Sequence, residues 1–247
     1  MRLLKGAQVS RRGPHDGMRI AMRHAFYLHG FASSAGSSKA AFYRTRLAGH
    51  GVPLHCPDFN EPDFSTLTVT RMLAQLDEAI AALAPGPIVL IGSSLGGFLA
   101  VLAAARARPR HPIDRLILLA PALDFGRNGM RHLGEAGLAD WERTNRLEVF
   151  HYGYGRTLTI GYELYRDAAR YDAFAEASLL PMLIVQGRRD VSVPPETAIR
   201  FAASRPHVTL TLLDDDHQLL GSLEAIWLTS AAFLGLEAGP AGGISRA

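Results

Sequence analysis

The sequence predicts an α/β fold, a doubly wound and mostly parallel sheet with a helical insertion late in the chain. Three observations carry this. Short, wholly apolar runs such as Ile88-Val89-Leu90-Ile91 and Leu116-Ile117-Leu118-Leu119 are what strands buried on both faces require. These runs alternate with stretches of helical period, the rhythm of a parallel sheet covered by helices. Between one strand and the next helix stands Gly92-Ser93-Ser94-Leu95-Gly96, a Gly-x-Ser-x-Gly pattern at a strand-to-helix corner.

The 247 residues suffice for one large domain with a sizeable core. Net charge is only +3, and much of the basic excess sits early, at Arg2, Lys5, Arg11, Arg12, Arg19 and Arg23. No basic stripe is interleaved with aromatics, which argues against a nucleic-acid partner. The single cysteine, Cys56, excludes an internal disulfide framework and a multi-cysteine zinc site. No apolar run approaches the roughly 20 residues of a membrane span, and the basic N-terminus lacks the apolar core of an export signal. The expectation is a cytoplasmic protein.

In chain order, residues 1–21 are basic and aperiodic and are expected to form a disordered arm; Met18 and Met22 are both plausible starts. Ala25–His29 reads as the first strand and leads into Gly30-Phe31-Ala32-Ser33-Ser34. Ser37 or Ser38 can cap a helix from about Lys39 to Ala48. A short strand at Val52–Cys56 precedes a helix from about Thr68 to Leu83, whose Met72, Leu73, Leu76, Ile80 and Leu83 form one stripe. The strand before Ser94, the helix after it and the strand Leu116–Ala120 follow. From about Leu123 to Leu179 no clean strand is visible while aromatics accumulate, so this segment is expected to be a mostly helical cap, or else a crossover helix with a long loop. The alternation resumes with the strand Pro181–Gly187, a helix around Pro195–Ala203, the strand Val208–Leu213 and an amphipathic helix near Gly221–Leu234. A Gly- and Ala-rich tail at 238–247 is expected to be flexible.

A serine hydroxyl needs a base to remove its proton, and the base needs an orienting group. In a parallel sheet these belong beyond the carboxyl ends of later strands. Asp190, in Gly187-Arg188-Arg189-Asp190, and His217, after Asp214-Asp215-Asp216, occupy such places and give the order Ser94, Asp190, His217. Asp214, Asp215 and Asp216 compete with Asp190 but would have to fold back on the histidine; changing Asp214 or Asp215 is expected to do little. The oxyanion of an acyl-transfer intermediate needs two N–H donors, here Leu95 and, from the loop after the first strand, Phe31. His29 reads as a brace for that loop or, alternatively, as a base. Phe31, Leu95, Trp141 and Tyr154 are candidates to line a substrate pocket.

At this point the chain resembles an α/β-hydrolase, and within that superfamily the small bacterial esterases of the YqiA type. The resemblance rests on Phe26-Tyr27-Leu28-His29-Gly30-Phe31 with Ser33-Ser34, on Gly92 to Gly97, on Gly187-x-x-Asp190 and on Asp216-His217. It covers most of residues 24–236, within an expected domain of 22–237. It implies serine-dependent hydrolysis of carboxylic esters or thioesters through an acyl-enzyme, without metal or cofactor. Amide or carbon–carbon bond cleavage on the same three residues, and a non-catalytic ligand-binding protein of this fold, stay open as alternatives. Oligomeric state is not legible.

Overall fold

The computed structural model describes residues 22–236; the expected arm at 1–21 and tail at 238–247 lie outside the described residues. The main sheet is built from β1 (His24–Leu28), β2 (Leu54–His55), β3 (Ile88–Ser93), β4 (Ile113–Leu119), β7 (Met182–Gly187) and β8 (Val208–Leu213). All six strands are parallel, in the order β2-β1-β3-β4-β7-β8. The strand order reverses between β1 and β3, so the crevice at their carboxyl ends is the switch point where ligands of open parallel sheets bind.

The period of two divides each apolar run between two cores. Phe26 and Leu28, Ile88 and Leu90, Leu116 and Leu118, Met182 and Ile184 face one side. There they meet α2 (Val69–Ala81), α3 (Leu95–Ala104) and α7 (Pro195–Ala203). Ala25 and Tyr27, Val89 and Ile91, Ile117 and Leu119, Leu183 and Val185 face the other, against α1 (Ser38–Ala48) and α8 (Leu223–Leu234). Burial on both faces is why these strands need no polar alternation. Tyr43 and Trp227 fill the second core, and the buried Tyr43 hydroxyl pairs with Ser230 Oγ at 2.7 Å.

Between β4 and β7 the chain forms α4 (Phe125–Asn128), α5 (Gly134–Thr144), β5 (Leu147–His151), β6 (Arg156–Ile160) and α6 (Glu163–Ala168). Helices are present as expected, but β5 and β6 pair as an antiparallel hairpin where no strand was anticipated. The reason is visible in the burial: Leu147, Val149 and His151 turn inward, while the large apolar Phe150 turns outward and masks the alternation. The segment is fastened to the domain by polar bonds. Asp167 accepts the Thr70 N–H (2.8 Å) and hydroxyl (2.6 Å) at the start of α2, a place where a carboxylate is favoured. Gly161 N–H donates to Ser65 C=O. Among the described residues no helix is long and apolar enough to cross a membrane.

Candidate active site

Ser94 occupies the turn between β3 and α3 with φ +52° and ψ −116°, a left-handed conformation that residues with a side chain rarely adopt. The corner is held by packing too close for a Cβ: one added at Gly96 would lie 1.9 Å from the Leu28 carbonyl oxygen. Glycine there lets β1 and the start of α3 approach. Ser94 N–H donates to Leu119 C=O at 2.9 Å, tying the corner to β4. The serine itself is half-buried.

Asp190 lies just past β7 and His217 just past β8, and both converge on the serine. His217 Nδ1–H donates to Asp190 Oδ2 at 2.8 Å, and Nε2 lies 3.1 Å from Ser94 Oγ. With the proton on Nδ1, Nε2 is free to accept the serine hydroxyl. Asp190 is buried and its two oxygens take four donors: Ser192 N–H (2.9 Å) and Val193 N–H (2.8 Å) on Oδ1, Gln186 Nε2–H (2.8 Å) and His217 on Oδ2. Burial pushes this carboxyl up, but the bonds from His217, Val193 and Gln186 outweigh it and hold Asp190 below the usual carboxylate range.

The competing aspartates are occupied elsewhere. Asp214 is exposed and pairs with Arg189, and Asp216 takes the Gln218 N–H. Asp215 is buried. Its Oδ1 accepts the Asp216 N–H, its Oδ2 has no partner among the described residues, and its carbonyl accepts the Arg189 N–H.

Leu95 follows Ser94 directly, and Phe31 follows Gly30. The loop carrying Phe31 runs so close that a Cβ on Gly30 would be 3.2 Å from Ser94 Cβ. Among the described residues neither the Phe31 nor the Leu95 N–H donates to a protein acceptor. His29 is a brace: the Phe59 N–H donates to its Nε2 at 3.0 Å, so Nδ1–H donates to Gly30 C=O at 2.9 Å.

Two pocket candidates are placed differently from each other. Trp141 is 1% exposed, packs on Tyr162 and Tyr165, and donates its indole N–H to Ile160 C=O at 3.0 Å. It is a strut between α5 and the hairpin, not a pocket wall. Tyr154 sits at the hairpin turn, 43% exposed, with its ring stacked on His151 at 4.2 Å.

One residue beside the site escaped the sequence reading. Lys39, in the first turn of α1, is 8% exposed and donates to Gln218 C=O at 2.7 Å, immediately after His217. Burial pulls its ammonium down to about 8, against the opposing pull of Asp216, Asp190 and Asp215. A lysine at a helix start carries no sequence signal for such a role.

A six-stranded parallel sheet flanked by helices, with a Gly-x-Ser-x-Gly corner at its switch point, is the α/β-hydrolase fold. Within it, the chain belongs to the uncharacterised protein family UPF0227, whose model matches residues 24–233 and is the family of the YqiA type. Among solved structures it is similar to a provisionally assigned hydrolase from Agrobacterium vitis S4 (TM-score 0.77, 23% identity, 86% of this chain and 88% of that one). It is also similar to Est1E from Butyrivibrio proteoclasticus in complex with ferulic acid (0.72, 22%, 86% and 88%). A third is the alpha/beta hydrolase domain-containing protein 10 from mouse (0.73, 19%, 88% and 92%). No curated protein matches the chain.

Proposed function

We propose that the protein is a serine hydrolase of carboxylic esters, with acyl thioesters as the nearest related substrates. The observation that carries this reading is the unbroken chain Asp190–His217–Ser94 ending on a serine held at φ +52°. In the proposed reaction His217 Nε2 takes the Ser94 proton as Oγ attacks the acyl carbon. The resulting oxyanion is received by the N–H groups of Phe31 and Leu95, each such donor contributing about 3 kcal/mol to the transition state. His217 then gives the proton to the leaving alcohol, and an acyl-Ser94 intermediate remains. Water, deprotonated by the same imidazole, releases the acid and restores the serine. Asp190 fixes the Nδ1–H tautomer and stabilises the imidazolium; the four donors on its carboxylate keep it ionised for that task. Every step is assigned to a side chain or backbone group, so no cofactor is invoked.

The segment at 123–179 is proposed to be the cap of this site, since its hairpin turn bonds to the loop that carries Phe31. That the metagenome-derived lipolytic enzymes LipS and LipT share this fold is consistent with the ester reading. A panel of p-nitrophenyl esters and acyl thioesters, run on wild type and Ser94→Ala, tests the proposal. Turnover that disappears in the variant is the expected result; equal turnover in both overturns it.

A further inference from the structure

The hairpin turn meets the loop that carries Phe31 through a set of directed hydrogen bonds. Tyr152 N–H donates to Ala32 C=O at 2.8 Å. Ala32 has φ +53°, a conformation that persists only when its surroundings impose it. Behind this bond lies His151, fully buried within the hairpin. Its Nδ1 shares the Tyr154 N–H (3.2 Å) with the His151 carbonyl (3.1 Å), and, because Asn60 Nδ2 is already engaged as a donor, Asn60 Oδ1 accepts the His151 Nε2–H at 3.1 Å. That bond orients the buried Asn60 amide, whose Nδ2 donates to Ser33 C=O at 2.8 Å and to Asp58 Oδ1 at 2.7 Å. An aromatic column runs the same way: Tyr154 on His151, His151 edge-on to Phe64 at 4.9 Å, and Phe64 against Phe31 at 5.6 Å.

We propose that His151 is a positioning residue for the oxyanion loop: acting through Asn60 it fixes the backbone at Ser33 and Ala32, and so holds the Phe31 N–H against Ser94. The inference rests on the reading of Ser94 as nucleophile. A buried histidine that served the hairpin alone would direct its ring nitrogens into the hairpin. Here Nε2 is directed to Asn60, outside the insertion, and Asn60 passes the constraint to the carbonyl two residues from Phe31. The arrangement couples the segment between β4 and β7 to the electrostatics of the reaction without contact with the reacting atoms.

The test compares kinetics and inhibition by an alkyl boronic acid, which forms a tetrahedral adduct on an active-site serine, in wild type, His151→Phe, His151→Gln and Asn60→Ala. In His151→Phe and Asn60→Ala, kcat is expected to fall about tenfold with KM within about twofold, part of the hundredfold or more that full loss of an oxyanion donor costs. The boronate inhibition constant should rise by the same factor as kcat falls, because both report the tetrahedral state. His151→Gln, whose amide N–H can replace Nε2–H, should recover most of the loss. If His151→Phe fails to fold, Asn60→Ala and His151→Gln decide the matter. Unchanged kcat and boronate affinity in folded variants of an active enzyme overturn the proposal alone, as does a rise in KM without a fall in kcat. A wild type that neither turns over esters nor binds the boronate overturns the nucleophile reading and this proposal with it.

Discussion

The corner at Ser94 and the hairpin at His151 are both held in strained or close-packed geometry beside the same crevice, yet they are held by different means. At the corner, the central sheet does the work: Gly96 lies against the Leu28 carbonyl of β1, Gly92 against the first turn of α3, and the Ser94 N–H is tied to Leu119 of β4. At the hairpin, the restraints come from residues far along the chain, with Asn60, Ser65, Thr70 and Ala32 each bonding to the segment between β4 and β7. Restraint from the central sheet fixes Ser94 without a bond to the insertion. Distant restraint lets the insertion vary in sequence as long as a few bonds survive.

The comparison breaks most severely at the corner. Ser94→Ala and His217→Ala should each lower kcat by on the order of 10⁶ on p-nitrophenyl esters, with the circular dichroism of the wild type. No single change in the insertion should approach that loss. Gly96→Ala comes next: its methyl would meet the Leu28 carbonyl oxygen at 1.9 Å, and the backbone shift should cost about 3 kcal/mol in urea unfolding. A stable Gly96→Ala protein with full activity would show that the corner is looser than its packing implies.

Lys39 sharpens the picture because its effects on stability and activity should oppose each other. In the unfolded chain it titrates near 10.5, and in the folded protein at about 8, so the unfolded state holds more protons between those values. Burying the ammonium therefore destabilises the fold fully below about pH 8, and the penalty fades as pH rises to 10.5. Lys39→Met should raise neutral-pH stability by up to about 3 kcal/mol, a gain that disappears across the same window. It should also lower kcat by loosening the loop of His217. Denaturant titrations at pH 7 and pH 10.5 check the sign.

The smallest expected effect is at Trp141. Trp141→Phe removes the donor to Ile160 C=O and should cost about 1–2 kcal/mol while leaving KM for short esters unchanged. A large change in KM would restore Trp141 to the pocket.

The same contrast governs what could be read from the sequence. The sheet was legible because buried parallel strands are written as continuous apolar runs, and the corner because its glycines are required by close approach. Ser94, Asp190 and His217 were legible by their places just beyond the carboxyl ends of β3, β7 and β8, and the structure brings these three side chains together. The hairpin was missed because Phe150 faces outward and masks the period of β5, although Thr157-Leu158-Thr159-Ile160 in β6 does alternate. Nor could His151 be told from nine other histidines. Its role depends on Asn60, 91 positions away, and no periodicity encodes such a pairing.

The most direct test of the central claim is fluorophosphonate labelling at neutral pH, followed by mass spectrometry of the peptide containing Ser94. The account predicts a covalent adduct on Ser94 itself, formed rapidly in wild type, absent in Ser94→Ala and strongly slowed in His217→Ala. An adduct on another residue, or equal labelling of wild type and His217→Ala, would contradict it.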